Sequence, residues 1–265
     1  MPARKDSVAL VVTCEHASNR VPTPYHTLFR RKGSVLASHR GWDPGAIDIA
    51  HAVARDAHTG VIAAPVSRLL VEVNRSPDHA QLFSEFTSGL DEAAQRRLVR
   101  LFYEPHRNAV RTAIRKALKT HERVIHLGVH TFVPVLKGVR RRADVGLLYD
   151  PSRLLETMAC DLLREHLMHL APGLRVRRNY PYRGWSDGLT TTLRTEFPPS
   201  RYLGIELEVN QRAAAGSPRQ RADIQRAISN AVCWTLSDFG VPVTALRASR
   251  RGSTAPRPRR RSTAR

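Results

Sequence analysis

VALVVTCEHASNR, residues 8–20, decides how the rest of the chain is read. Six mostly apolar residues, several of them β-branched, run directly into Cys14, Glu15 and His16, the pattern of a buried strand that ends on reactive side chains. Further short runs of the same kind are VIAAPV (61–66), LLVEV (69–73), VIHLGVH (124–130), DVGLLY (144–149) and YLGIELEV (202–209). Helix-period segments separate them. They begin at Asp43 (DPGAIDIAHAVARDAH), Leu90 (LDEAAQRRLVRLFYEPHRNAV and onward), Pro151 (PSRLLETMACDLLREHLMHL) and Ser217 (SPRQRADIQRAISNAVCWTLSDFG). Alternation of this kind predicts an α/β fold: one domain with a central mixed, largely parallel sheet flanked by helices. Pro105 inside the Leu90 segment predicts a kink or break near Tyr103. Ser217 with Pro218 is a helix start, and Gly240 with Pro242 a stop.

The chain has 265 residues, 42% apolar and 25% charged, enough for one large folded domain and unlike a disordered chain. No apolar run reaches the roughly 18 residues that suggest a membrane span, and the N-terminus carries no secretory signal pattern, so a cytoplasmic, membrane-free protein is expected. Cys14, Cys160 and Cys233 show no CxxC spacing and suggest no disulfide framework. The net charge of +20 is partly local, because eight arginines fall from Arg247 to the end of the chain, with no acid and no apolar periodicity among them. Residues 1–245 are therefore read as the folded domain and 246–265 as a disordered Arg-rich tail. Such a charge also suits a nucleic-acid or acidic-partner binding protein built on a degenerate enzyme scaffold. That reading is the less favoured one, because a 6% aromatic content offers few stacking platforms and no nucleic-acid motif is present.

Ligand sites in open α/β sheets form beyond the carboxyl ends of strands. The polar residues at those ends are Glu15 and His16, Asn74 and Arg75, His130, and Glu206 with Glu208, to which Asp43 adds an acid at a helix start. Two histidines and a carboxylate are the minimal protein ligands of a catalytic zinc that keeps one position open. His16, His130 and Asp43 supply that set, although Asp43 in GWDPGA also fits a helix N-cap, with Pro44 in the first helical position. Glu206 and Glu208, two apart on a strand, face one side while Ile205, Leu207 and Val209 face the other. A carboxylate pair turned into a site suits a general base, and Arg75 suits an anion or a polarised carbonyl.

The segments CEHASNRVP, HRGWDPGA, SRLLVEVNRS, YEPHRNAV, HLGVHTFVPVLKG, RRADVGLLYD, NYPY and GIELEVN occur in this order between about residues 10 and 211. Together they resemble the N-formylglutamate amidohydrolase family, relatives of zinc carboxypeptidases and aspartoacylases. The resemblance implies metal-dependent hydrolysis of an amide on an acidic N-acyl amino acid, giving formate and glutamate, with Zn2+ or another divalent ion as cofactor. It puts the metal on His16, Asp43 and His130 and makes Glu206 the better candidate for the base, with Glu208 second. Arg75, paired with Asn74, and His106 of YEPH are implied to line the site, and Arg141 of RRADVG to lie near the substrate carboxylate, with Arg183 as a further cation. The chain departs from the family pattern in two places. It has RRRAD where an Arg-Pro-Trp-type run is common, and a second Glu where Gln or Arg is common, so a zinc amidase acting on another amide is the alternative reading.

Overall fold

The structure, a computed structural model, describes residues 4–239. The expected helix stop at Gly240 and Pro242 and the Arg-rich segment 246–265 lie outside the described residues. The strands are β1 (Arg4–Cys14), β2 (Val61–Ala63), β3 (His121–Phe132), β4 (Val135–Leu136), β5 (Val139–Arg140), β6 (Val145–Leu148), β7 (Val176–Arg178) and β8 (Tyr202–Asn210). The α-helices are α1 (Gly33–Ala37), α2 (Ala46–Asp56), α3 (Glu92–Leu98), α4 (Glu104–Ala117), α5 (Leu154–Leu170), α6 (Leu189–Glu196), α7 (Gln211–Ala214) and α8 (Pro218–Phe239). Six strands form one sheet in the order β2-β1-β3-β8-β6-β7, and β4 pairs with β5 in a separate hairpin. Every pairing in the large sheet is parallel except β6 against β8, so the sheet is mixed and largely parallel, as the strand and helix alternation predicts.

Strand alternation sends the two sets of side chains to different layers. Leu10, Val12 and Cys14 of β1, Leu127 and Val129 of β3, and Ile205, Leu207 and Val209 of β8 form one core with α2, α5 and α8. Full burial of each such aliphatic side chain contributes about 1.5–3 kcal/mol. On the opposite face, Val11 and Val124 pack with Val110 and Ile114 of α4 and Leu189 and Leu193 of α6. Toward the carboxyl ends of the strands this second face turns polar, and there the site forms. Among the described residues, no helix is long and apolar enough to cross a membrane.

Two elements differ from the sequence reading. LLVEV is not a strand: residues 64–91 are irregular, the Glu72 N–H donates to the Leu82 carbonyl at 2.9 Å, and Leu69, Leu70, Val71 and Val73 fill a separate core with Phe29, Leu98 and Tyr103. An uninterrupted apolar run signals burial, and a packed loop satisfies it as well as a strand does. The Leu90 segment is not broken at Pro105 either; a π-helical turn over Val99–Tyr103 joins α3 to α4. The longer turn accommodates the missing proline N–H without ending the helix. The start at Ser217 is a reciprocal cap, with Gln220 N–H donating to Ser217 Oγ at 3.3 Å and Ser217 N–H to Gln220 Oε1 at 2.9 Å.

Candidate metal centre

β1, β3 and β8 lie side by side and parallel, so their carboxyl ends open on one edge of the sheet. His16 follows β1 by two residues and His130 is the third residue from the end of β3. Asp43 comes from the turn before α2. It does not cap that helix, which starts at Ala46 behind Gly45 (φ +84°). Its carboxylate turns inward and accepts the Thr131 N–H at 3.3 Å.

His16 Nδ1, His130 Nδ1 and Asp43 Oδ2 form a triangle with every side 3.2 Å, and all three residues are buried. A tetrahedron with metal–ligand bonds of roughly 2.0–2.1 Å has edges of about 3.3–3.4 Å. The remaining ring nitrogens face carboxylates. His16 Nε2 lies 2.7 Å from Glu72 Oε1, and His130 Nε2 lies 3.1 Å from Glu15 Oε2. A proton placed on each Nε2 by these acids leaves both Nδ1 lone pairs pointing at each other, an arrangement that calls for a cation between them. The donor set therefore fits a divalent ion. Arg68 braces Glu72, its Nε donating to Oε2 at 2.7 Å, while its Nη1 lies 3.2 Å from His16 Nδ1.

Electrostatics at the site follow from these contacts. Burial by itself would raise the Asp43 carboxyl, but the His16 charge and the bonds from His130 and His16 hold it well below the usual range. Glu72 is likewise held low against burial by Arg68 and His16, and Glu15 by His106 and His130. His130 moves the other way: burial disfavours its charge, yet its bonds to Asp43 and Glu15 raise it well above an ordinary imidazole. Three ionised carboxylates around two imidazoles favour positive charge at the centre of the triangle.

The triangle forms the floor of a cleft of about 360 Å³ that is also lined by Asn74, Arg75, Arg183, Asp187, Glu206 and Glu208. Glu206 receives a hydrogen bond from the Thr190 hydroxyl at 3.1 Å. Glu208 stands beside His130 in the β3–β8 register, and burial raises its carboxyl to about 7. Arg75 donates to the Asp187 carbonyl at 2.9 Å, and the Asn74 side chain accepts the Leu189 N–H at 2.8 Å. Both sit on a loop clamped from below by Arg107, whose Nη1 donates to the Val73 and Arg75 carbonyls.

Two expected pocket residues stand outside the cleft wall. His106 is buried behind Glu15, 3.6 Å from its Oε1, and so backs the carboxylate that orients His130. Arg141 lies at the rim, where it donates to the Tyr182 hydroxyl at 3.2 Å and stacks on that ring at 5.1 Å. Glu72, Arg68 and Arg107 were absent from the sequence-derived site. The one signal for Arg68 and Glu72 was the base and acid four residues apart in SRLLVEVNRS, a spacing that a strand assignment hides. Cys14, next to the ligands in sequence, points into the opposite core, where burial raises its thiol.

A family model described as N-formylglutamate amidohydrolase matches residues 8–215. Among solved structures, a gene product from Agrobacterium tumefaciens is 28% identical with a TM-score of 0.70, over 88% of this chain and 92% of that one. An N-formylglutamate amidohydrolase from Ralstonia eutropha JMP134 is 18% identical with a TM-score of 0.64, over 95% of this chain and 97% of that one, and shares the fold. No curated protein matches the chain.

Proposed function

This chain belongs to the N-formylglutamate amidohydrolase family, and from that premise we propose that it is a zinc-dependent amidase hydrolysing N-formyl-L-glutamate or a related acidic N-acyl amino acid. The observation that carries the reading is the His16, Asp43 and His130 triangle with a carboxylate behind each histidine. Those three residues would hold the ion, which when bound supplies Lewis acidity and makes water a stronger nucleophile at neutral pH.

The other residues divide the remaining work. Glu206 takes a proton from the attacking water and returns it to the departing nitrogen as the C–N bond breaks, with Thr190 fixing its carboxylate. Glu208, buried beside His130 with its carboxyl raised to about 7, is the second candidate for the base. Arg75 offers its guanidinium to the developing oxyanion, with Asn74 fixing the loop beside it. Arg183, on the cleft wall, meets the substrate carboxylate, and Arg141 holds Tyr182 at the rim.

The test is zinc content together with glutamate release from N-formylglutamate. Wild-type protein is expected to bind one zinc and release glutamate, and His16→Ala and His130→Ala to lose both. Glu206→Gln is expected to lower kcat at least about 100-fold with zinc retained, and Glu208→Gln to lower it less. Wild-type protein that cannot be loaded with zinc would overturn the metal reading. Loaded protein inactive on every N-acyl amino acid would overturn the reaction.

A further inference from the structure

The row of residues that carries the site continues past it across the sheet. His130 of β3 stands opposite Glu208 of β8, Glu208 opposite Gly146 of β6, and Gly146 opposite Arg177 of β7. Paired residues share a face, so Arg177 belongs to the site face, two strand spacings or about 9–10 Å beyond Glu208. The segment after β7 covers the ground between them. A Cβ on Gly146 would collide with the Tyr180 carbonyl oxygen, and the Tyr180 ring packs edge-on against Phe132. On this surface three guanidinium groups lie over aromatic rings: Arg177 over Tyr180 at 5.4 Å, Arg141 over Tyr182 at 5.1 Å and Arg183 over Trp185 at 5.8 Å. None of the three forms an ion pair among the described residues. Arg177 differs in this from its neighbours on β7, since Arg175 holds Asp144 and Arg178 holds Asp161. Stacking fixes the position of each guanidinium without engaging its N–H groups, and Arg141 alone has one occupied, by the Tyr182 hydroxyl. Arg183 meets the carboxylate of the first residue; Arg141 and Arg177 have no group of a single amino acid to bind.

We infer that the substrate amide caps an acidic peptide rather than a single amino acid, and that carboxylates beyond its first residue lie at Arg141 and Arg177. An extended chain advances about 3.3 Å per residue, so roughly three residues cover the distance from Glu208 to Arg177. With a guanidinium over each ring, the groups left to bind are N–H edges, which match carboxylates, whereas stacked bases would need the ring faces. The inference rests on the amidase reading and deepens it by naming the substrate class. The reaction is unchanged: water adds to the acyl carbon, the C–N bond breaks, and the proton goes to the nitrogen, leaving a peptide with a free N-terminus.

Two measurements test it. Zinc-loaded protein is assayed with N-formylglutamate, N-formyl-tetraglutamate and N-formyl-glutamyl-trialanine. The tetraglutamate is expected to exceed both others in kcat/KM by tenfold or more. That advantage is expected to fall at least fivefold in Arg141→Glu and in Arg177→Glu, and to stay within twofold in Arg226→Glu, a change of equal charge on α8 across the sheet. N-formylglutamate or the trialanine peptide as the equal of the tetraglutamate, an advantage unmoved by both rim substitutions, or an equal fall in Arg226→Glu would overturn the peptide surface and leave the amidase reading intact. In the second measurement, N-acetyl-tetraglutamate is titrated calorimetrically into metal-free protein, where it is expected to bind, and at least fivefold more weakly in both rim variants. Protein without any amidase activity would fail the parent reading, and this titration would then decide the surface: absent binding, or binding insensitive to both variants, would reject it. An oligothymidylate that binds where the tetraglutamate does not would assign the arginines to nucleic acid and overturn the inference as well.

Discussion

Glu72→Gln separates metal binding from everything else that the site residues do. In the native chain Glu72 Oε1 faces His16 Nε2 at 2.7 Å and Oε2 holds Arg68 Nε at 2.7 Å. Glutamine keeps the shape and an oxygen for the imidazole proton, but it removes the charge that makes His16 a strong donor and that neutralises Arg68. Changes to an outer partner of a metal-bound histidine typically weaken binding 10- to 100-fold, about 1.4–2.7 kcal/mol. The upper end applies here, because Arg68 Nη1 already lies 3.2 Å from His16 Nδ1 and 3.7 Å from Asp43 Oδ1. Freed from Glu72, that guanidinium competes with an incoming cation for His16 Nδ1 and for the Asp43 carboxylate. The assay is zinc competition against a chromophoric chelator at fixed pH and ionic strength, with Glu196→Gln as the control, a surface carboxylate paired with Arg111. Glu72→Gln is expected to bind zinc about 100-fold more weakly and the control within twofold of wild type. Zinc affinity in Glu72→Gln within threefold of wild type would refute the role assigned to the carboxylate.

Gly45→Ala is expected to destabilise the fold by at least about 2 kcal/mol in urea titration, because φ is +84° and a Cβ there would meet the Ala214 carbonyl oxygen at 2.3 Å; unchanged stability would contradict this account of the turn that carries Asp43. Glu208 has a folded pKa raised by burial from 4.5 to about 7, so the folded state is increasingly penalised as pH rises through that window, by on the order of 3 kcal/mol at most. Glu208→Gln should therefore raise the Tm of metal-free protein more at pH 8 than at pH 4.5, and equal gains would count against it. His126 sits between Thr13 Oγ1 at 2.9 Å and the Tyr202 hydroxyl at 2.7 Å, and burial lowers it from 6.5 to about 4. The native state rejects a proton that the unfolded chain accepts, so stability should decline as pH falls from 6.5 through 4, and His126→Gln should flatten that part of the unfolding profile.

What was legible in the sequence follows from how firmly each signal is tied to burial. β1, β3 and β8 were readable because their β-branched runs face two packed layers, and the Glu206 and Glu208 alternation was readable because period 2 admits one geometry. His16 and His130 were readable as strand-end residues in a parallel sheet. The irregular segment 64–91 was not. Its apolar residues are as buried as those of a strand, so hydrophobicity could not tell sheet from packed loop, and Glu72 passed as a strand residue when it is a loop carboxylate aimed at His16. His106 and Arg107 show the same limit on a helix: both are buried, and only three-dimensional packing shows that one backs Glu15 while the other clamps the Asn74 loop.

Glu15 and His16 show why adjacency misleads at such a site. Glu15 continues the alternation of β1 on the face of Thr13, which is in register with Gly128, and from there it reaches across to His130 on the neighbouring strand. The two side chains meet over Gly128, where a Cβ would stand 3.4 Å from Glu15 Oε2 and 3.6 Å from His130 Nε2, at ordinary contact distance. His16, one residue on, turns out of the strand toward Asp43 and takes its carboxylate from Glu72, far along the chain. Each histidine is thus oriented by an acid from a different segment: β1 supports the ligand on β3, and the irregular loop supports the ligand after β1. A shift of either strand or of the loop would misalign a ligand and its support together, so the geometry of the triangle depends on the packing of all three segments rather than on any single motif.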